Sequence, residues 1–301
     1  MVSLLLVFFV SLFFMGVVTR IRSLTSGRKG PSVMQPMWDI VRLWRKGSVY
    51  STTTSFIFQL APITYIASLL VAVLMVPHGS RAGLISFEGD FIMFAYLLAF
   101  GKFMMIIAAL DTGSSFEGMG ASREALFSML AEPAFFILMG SFALFTGNSS
   151  FQGIFNGLYY GSHFSYMLGG LATFVLIIIA MVENSRMPVD DPKTHLELTM
   201  IHEVMILDNS GFDLGLIMYA THLKFAMYGS IIASFFIGSL PLWLSIPLTL
   251  VIQMFFAIVV GIMESFTARF RMGHNPQFIF ILTSVAILIF FGVLMLLGRF
   301  M

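Results

Sequence analysis

FSYMLGGLATFVLIIIAMV (residues 164–182) and LGLIMYATHLKFAMYGSIIASFFIG (residues 214–238) are two long apolar stretches that decide the fold of this chain. Each has about the length, roughly 20 residues, that a helix needs to cross a lipid bilayer. Between them, residues 183–213 read ENSRMPVDDPKTHLELTMIHEVMILDNSGFD, with seven carboxylates, two Lys or Arg residues and two histidines. The pattern predicts two membrane-spanning helices joined by a dense acidic loop.

The composition of the whole chain extends this prediction. Of its 301 residues, 58% are hydrophobic and 10% are charged, against about 45–50% and about 25% in soluble domains. We therefore predict an all-α polytopic membrane protein forming one membrane domain, residues 1–301. The first apolar stretch lacks a basic segment before it and a small-residue cleavage site after it, so we expect it to be a retained helix. Eight membrane-spanning helices are predicted, at 2–19, 53–76, 91–110, 125–146, 164–182, 214–238, 243–264 and 277–298.

The loops differ sharply in Lys and Arg content. One set of alternate loops holds twelve of these residues and the other set holds two. Because basic loops stay in the cytoplasm, we expect both termini outside and residues 20–50 and 183–213 inside. The predicted location is the inner, cytoplasmic membrane of the cell, as a multi-pass protein.

Composition also excludes several partners and cofactors. The net charge is only +1, which argues against nucleic acid as a partner. The chain has no cysteine, so it cannot hold a disulfide, a thiolate zinc site or an iron–sulfur cluster. The string His202-Glu203-Val204-Met205 lacks the second histidine of the zinc motif H-E-x-x-H, and we predict no metal site.

Residues 20–50 form a basic segment with seven cations and one acid, Asp39. From about Met37 its apolar and polar residues alternate at helical spacing. This predicts a short amphipathic helix in the membrane interface, with Trp38 and Trp44 at headgroup depth. The segment either anchors the chain on anionic lipid or also neutralises the acidic segment.

The acidic segment, residues 183–213, also has a helical pattern. Pro188 and Pro192 favour extended chain, and Thr194-x-x-Glu197 matches the pattern of a capping box. The apolar spacing that follows predicts a cytoplasmic amphipathic helix of three to four turns. We expect its two histidines, His195 and His202, to be hydrogen-bonded members of a polar network.

Three ionisable residues lie inside predicted membrane helices: Lys102, Glu132 and Lys224, the last with His222 close by. Placing a charged side chain at this depth costs free energy, so we interpret these residues first as functional. We expect all three roughly 12–15 Å inside the cytoplasmic boundary. The outer halves of the predicted helices have no ionisable residue, so any ion path would be a cytoplasmic half-channel with a sideways exit. The alternative is a purely structural role, as a buried ion pair or as a lysine that snorkels to the membrane surface.

Four stretches carry a family resemblance. They are Arg28-Lys29-Gly30-Pro31 with Asp39-Ile40 and Leu43; Leu110-Asp111-Thr112-Gly113-Ser114 with Gly120-Ala121-Ser122-Arg123-Glu124-Ala125 and Glu132-Pro133; Glu183-x-x-Arg186-x-Pro188-x-Asp190 through Ser210-Gly211; and Glu264-Ser265 with Ala268-Arg269.

In this order and spacing the chain resembles the family of NADH-quinone oxidoreductase subunit 1, a membrane component of complex I. It is more similar to the counterpart in group 4 membrane-bound NiFe hydrogenases, hydrogenase-4 component C and formate hydrogenlyase subunit 4. The resemblance implies a non-redox membrane subunit beside a cytoplasmic redox module. The NiFe centre and iron–sulfur clusters would lie in partners: the large and small hydrogenase subunits, a ferredoxin-like subunit and antiporter-like membrane subunits.

The resemblance, together with the depth of the buried charges, assigns candidate roles. One set would form a proton or ion path: Glu132, Lys102, Lys224, His222, Glu183, Asp190, Glu197, Glu203 and Asp208. A second set would order the loop or contact subunits: Arg28, Arg123, Arg186, Asp111, Asp191, His195, His202 and Arg269.

Four functions remain open from the sequence. The first is a coupling subunit of a membrane-bound hydrogenase that moves H⁺ or Na⁺. The second is a quinone-site subunit, although Val189-Asp190-Asp191-Pro192 departs from the F-D-L pattern of the quinone branch. A stand-alone transporter and a purely structural anchor are the other two.

Overall fold

The computed structural model describes residues 1–159, 163–191 and 200–297. This part of the chain contains α-helices, one 3₁₀ turn at Met272–His274 and no β-strand. The α-helices are α1 (Val2–Thr25), α2 (Gln35–Trp44), α3 (Phe56–Met75), α4 (Asp90–Asp111), α5 (Ser115–Thr146), α6 (Phe151–Tyr159), α7 (His163–Glu183), α8 (His202–Met205), α9 (Gly211–Ile237), α10 (Leu242–Phe266) and α11 (Asn275–Leu296).

The predicted all-α membrane fold is confirmed, and each predicted apolar stretch coincides with a helix. Among the described residues, seven helices are long and apolar enough to cross a membrane: α1, α3, α4, α5, α9, α10, and α11 with the 3₁₀ turn before it. In α7, Met167–Glu183 forms a shorter apolar helix. Eight crossings, and both termini outside, stay predictions.

Helix α5 is longer than its apolar stretch. It begins at Ser115, ten residues before the predicted start at residue 125. The added turns pack against α8, where a Cβ on Gly120 would lie 2.4 Å from a side-chain carbon of Val204. Packing against α8 thus keeps this segment helical, although its mean hydropathy is too low to predict a membrane helix there. The extension also moves Glu124 from a predicted loop into a buried helix.

The amphipathic helix predicted in the acidic segment is much shorter in the described residues. Met200 and Ile201 are not helical, so the prediction of one continuous helix of three to four turns is wrong; the described turn is His202–Met205, and residues 192–199 lie outside the described residues. The Asp190 carboxylate accepts hydrogen bonds from the backbone N–H groups of Ile201 and His202. This cap fixes the start of the turn at His202.

Helix α9 is the centre of the bundle. It packs on α1, α3, α7 and α10, and most of its residues are buried. Small residues permit this close packing in a membrane, where association relies on van der Waals contact. A Cβ on Gly229, for example, would lie 2.0 Å from Oε1 of Gln253 on α10.

The amphipathic helix predicted from about Met37 is confirmed as α2. Its Ile40 is fully buried, whereas Trp38 is 55% exposed. Trp44 packs edge-on against Tyr219 of α9, with ring centroids 5.5 Å apart. Helix α2 therefore lies on the bundle at the end of α9 that begins next to the acidic segment.

Candidate functional site

Four buried charges from four helices form one cluster, called here the Lys–Glu cluster: Lys102 of α4, Glu124 of α5, Glu183 of α7 and Lys224 of α9. Nζ of Lys102 lies 3.1 Å from Oε1 of Glu124 and 2.9 Å from Oε2 of Glu183. Nζ of Lys224 lies 3.7 Å from the same Glu183 oxygen. The charges alternate along the chain of contacts and sum to zero when all four groups are ionised.

Glu183 connects the two lysines. It is the last residue of α7, where the helix dipole disfavours a carboxylate. The two ammonium groups offset this cost, and Lys224 also donates a 2.7 Å hydrogen bond to the backbone carbonyl of Glu183. All four side chains of the Lys–Glu cluster are less than a tenth exposed. Each therefore depends on its partners rather than on water.

Neutral polar groups complete the surroundings of the cluster. Lys102 donates a 2.7 Å hydrogen bond to Oγ of Ser128, and Oγ of Ser185 donates to Glu124 over 3.1 Å. Nζ of Lys224 lies 5.7 Å from the centroid of the Tyr65 ring, within the range of a cation–π contact. Hydrogen bonding at a membrane-buried site of this kind is what permits four charges to remain there.

Three cavities lie in a row through the cluster. The largest, about 230 Å³, is called the loop cavity and has Arg186, Glu203 and His222 among its lining residues. It shares Asn184, His202 and Thr221 with a cavity of about 10 Å³ at the Lys–Glu cluster. Glu183 lines both that cavity and a third one of about 30 Å³, which has Glu132 and Tyr228 in its wall. The two small cavities have room for about one and two water molecules.

A second set of ion pairs, called here the loop network, holds the start of the acidic segment. Glu264 of α10 is shared by two guanidinium groups, Arg186 at 3.3 Å and Arg22 of α1 at 3.6 Å. Arg22 also pairs with Asp191 at 3.4 Å. Nη2 of Arg269 lies 2.8 Å from Oδ1 of Asp190. The acidic segment is thus tied to α1 and α10.

Asp190 and His202 connect the loop network to the Lys–Glu cluster. The buried Asp190 caps α8 at His202, and His202 lines the small cavity beside Lys102 and Lys224. Burial raises the pKa of Asp190, although the His202 N–H and Arg269 oppose that rise. Burial lowers the pKa of His202 to about 4, so this imidazole is neutral at pH 7.

The residues predicted for an ion path fall into separate places. Lys102, Lys224 and Glu183 meet in the Lys–Glu cluster, whereas Glu132 is half-buried in the adjoining 30 Å³ cavity. Glu203 and His222 line the loop cavity, and Nδ1 of His222 lies 3.2 Å from the carbonyl oxygen of Ser11. Asp190 is in the loop network, and the exposed Asp208 lies apart, its N–H donating to Glu117. Glu197 lies outside the described residues.

The residues predicted to order the loop or contact subunits are also dispersed. Arg186, Asp191 and Arg269 belong to the loop network, His202 links it to the cluster, and Arg123 donates to the carbonyl of Met200. Asp111 instead accepts from the N–H of Ser55 and joins α4 to α3. The side chain of Arg28 is exposed. His195 lies outside the described residues.

Sequence reasoning missed two central carboxylates. Glu124 and Glu264 were part of motifs but had no predicted role. A signal for Glu124 exists in the sequence: Glu124, Ser128 and Glu132 are spaced four residues apart, which places polar groups along one side of a helix. Reading that spacing required continuing α5 upstream of its apolar stretch.

The lowered pKa of His202 predicts a pH-dependent stability. In the unfolded state the histidine has a pKa near 6.5. Between pH 6.5 and about pH 4, the unfolded state therefore binds a proton that the folded state does not bind. The contribution of neutral His202 to the free energy of unfolding is fully present above pH 6.5. It decreases on acidification by at most about 1.4 kcal/mol per pH unit. We expect the melting temperature of wild type minus that of His202→Gln to be constant from pH 8 to 7 and to shrink from pH 6.5 to 4.5. A constant difference over the whole range would contradict the prediction.

The described residues contain no group of three or more His, Asp or Glu side chains that could hold a metal ion. The arrangement is suited to moving or storing protons or to shifting charge, since carboxylates, a neutral imidazole and space for water lie in contact.

Comparison with known proteins gives consistent matches. The sequence profile of the family described as NADH dehydrogenase matches residues 1–295. Hydrogenase-4 component C of Escherichia coli (strain K12) is 30% identical over 224 residues, which are 74% of this chain and 70% of that protein. Formate hydrogenlyase subunit 4 of the same organism is 25% identical over 289 residues, 92% of each chain. In the structure of the membrane-bound sulfane sulfur reductase, an archaeal respiratory membrane complex, one chain has the same fold with a TM-score of 0.81 and 20% identity, covering 97% of this chain and 98% of that one.

Proposed function

Because this chain belongs to the NADH dehydrogenase family, we propose that it is a non-redox membrane subunit of a membrane-bound NiFe hydrogenase-type complex. It would anchor the cytoplasmic redox module in the inner membrane and couple electron transfer to the movement of H⁺ or Na⁺. The similarity to hydrogenase-4 component C and formate hydrogenlyase subunit 4 supports this branch. Because the chain has no cysteine, cysteine-ligated iron–sulfur clusters of such a complex would have to lie in other subunits.

The row of three cavities is the observation that carries the coupling role. It starts at the loop cavity, passes His202 and Glu183, and ends beside Glu132. Glu132 is next to the exposed Pro133 on α5. A proton or cation would therefore leave sideways, toward a neighbouring membrane subunit of the antiporter type. The direction agrees with the lack of ionisable residues in the outer halves of the predicted helices.

The loop network gives this path a control element. In the proposal, a change of charge in the redox module moves the acidic segment against α1 and α10. Asp190 caps the turn that carries His202, so such a movement displaces the imidazole from the small cavity. Because opposite charges within about 4–6 Å shift the proton affinity of a carboxylate, displacing the loop changes which carboxylate of the path holds a proton.

Replacing Glu132 by Gln tests the exit of the path. We expect the Glu132→Gln variant to slow ion movement into vesicles by about 10-fold or more, because an amide cannot take up a proton at neutral pH. Hydrogenase activity with a soluble dye should be unchanged, since that reaction bypasses the membrane arm. Glu88→Gln, an exposed carboxylate before α4, is the matched control. Ion movement at the wild-type rate in Glu132→Gln would show that Glu132 is not part of the path.

The proposed partners are tested separately, by identifying the subunits that co-purify with this chain.

A quinone-site subunit is the second candidate. The loop cavity favours it, because about 230 Å³ lined by Arg186, His202 and His222 can receive a small polar ring. In that case the purified complex would reduce or oxidise a water-soluble quinone, and a bulky residue in the cavity, Thr221→Trp, would abolish that turnover. Quinone-independent turnover that tolerates Thr221→Trp would favour the hydrogenase-type proposal.

A further inference from the structure

We propose that a groove between α1 and α10 binds one acyl chain of an anionic phospholipid, whose phosphate lies against Arg28 and Lys29. The groove has a volume of about 370 Å³. Ten residues line it, and Gln253 is the one polar residue among them: Phe9, Val10, Phe13, Phe14, Val17, Val33, Leu250, Gln253, Met254 and Ala257. The site is separate from the Lys–Glu cluster and the loop cavity and does not rest on the proposed function.

The groove follows one side of α1 and ends at a cation. Phe9, Phe13 and Val17 are spaced four residues apart, and Arg20 continues the same side one turn later. From Phe9 to Arg20 the helix rises about 16 Å, close to half of a hydrocarbon core of about 30 Å. The distance along α1 from the groove to its cationic end therefore matches the thickness of one leaflet.

The chain after α1 folds back onto the helix and brings two more cations to this end. A guanidinium nitrogen of Arg20 donates to the carbonyl oxygens of Gly30 and Pro31, over 3.0 and 3.2 Å. A Cβ on Gly16 would lie 1.6 Å from the carbonyl oxygen of Val33, so only glycine lets Val33 reach the groove. The loop that closes the groove is thus the loop that carries Arg28 and Lys29.

The charge of this loop is uncompensated. In the ranges that the structure describes, no carboxylate lies within ion-pair distance of Arg28 or Lys29, and both side chains are exposed. Arg22, by contrast, is paired with Asp191 and Glu264. A lipid phosphate is the anion available at membrane depth to exposed cations beside an apolar groove.

The apolar part of the site does not select a lipid, because lipid tails are as apolar as the helices they contact. Selection must come from the headgroup. Basic residues near the membrane surface attract anionic lipid. For two such residues, this attraction corresponds to about a 30-fold preference for anionic over neutral lipid. We therefore expect discrimination between phosphatidylglycerol and phosphatidylcholine, not merely occupancy.

Photo-crosslinking tests the site. The full chain, with the subunits that co-purify, would be placed in phosphatidylcholine vesicles containing trace phosphatidylglycerol or phosphatidylcholine with a diazirine in one acyl chain. We expect adducts on the α1 and α10 segments that line the groove, at least about 10-fold more per lipid with phosphatidylglycerol. Equal labelling by the two lipids, or no adduct on these segments because a protein partner fills the groove, would overturn the proposal.

Three variants separate headgroup from groove. Arg28→Gln with Lys29→Gln should reduce the preference to less than about 3-fold and leave labelling by phosphatidylcholine intact. The chain offers a matched control, since Arg45-Lys46-Gly47 repeats the Arg28-Lys29-Gly30 sequence at another exposed place: Arg45→Gln with Lys46→Gln should keep the preference. Met254→Trp, at a 48% exposed groove residue, should reduce labelling by both lipids. An equal loss of preference in both double variants would show general surface attraction and contradict the site.

Discussion

Glu183→Gln is expected to reduce ion movement severely and to destabilise the assembled protein. The substitution leaves Lys102 with Glu124 alone and leaves Lys224 without a carboxylate in the cluster, although both ammonium groups are almost fully buried. Removing one partner of a buried ion pair costs about 3–5 kcal/mol, because an uncompensated charge remains. We expect a lower melting temperature, and vesicle ion uptake at least about 100-fold below wild type.

A charge-balanced double variant distinguishes loss of folding from loss of function. Glu183→Gln combined with Lys224→Gln leaves one neutral pair, Lys102 with Glu124, and keeps an amide that can donate to the residue 183 carbonyl. We expect the melting temperature to return most of the way to wild type, while ion uptake stays severely reduced because the carboxylate shared by two cavities is gone. Normal ion uptake in the double variant would mean that the cluster is a structural ion-pair group, and the coupling proposal would be wrong.

Three features were predictable from the sequence: the family, the all-α membrane fold and helix α2. Each depends on a local residue pattern or on motifs in a fixed order along the chain. Runs of apolar residues predicted the helices, and ordered motifs predicted the family, which the matches confirm. Local patterns failed where a distant contact decides the structure. Glu124 was assigned to a loop because hydropathy decreases before residue 125, yet α8 packs on that segment and keeps it helical.

The meeting of side chains from different helices was the least predictable feature. Lys102 and Lys224 were expected at a common depth, but depth does not reveal that Glu183 joins them while Glu132 stays in a neighbouring cavity. Glu264 is another example. It is 78 residues from Arg186 and 242 residues from Arg22 (264 − 22), and no sequence spacing relates these three. Such contacts follow from the packing of α1 and α10 on α9.

Glu264→Gln is expected to release the acidic segment from the bundle. Its carboxylate is 1% exposed and is shared by Arg186 and Arg22, so the amide leaves two guanidinium groups beside each other. Among the described residues, the Arg186 guanidinium would keep a contact with the sulfur of Met15 and its position 5.8 Å from the Phe225 ring centroid. A cost of about 3 kcal/mol, the lower end for a broken buried pair, corresponds to about 100-fold more frequent opening. Amide hydrogen exchange, which reports such local opening, should rise by that factor in residues 184–191 and 200–206.

Comparison with an exposed pair makes this result specific. Arg42 and Asp39 of α2 lie 3.5 Å apart but are 69% and 45% exposed, and exposed pairs contribute about 0–1 kcal/mol. Arg42→Gln should therefore change exchange by less than about 5-fold and leave the acidic segment closed. In Glu264→Gln, electron transfer with a soluble dye should persist while ion uptake per electron falls, because the loop no longer transmits displacement to His202 and Glu183. Faster exchange with unchanged ion uptake would mean that the loop network orders the segment without controlling the path, and the control element would then have to lie elsewhere.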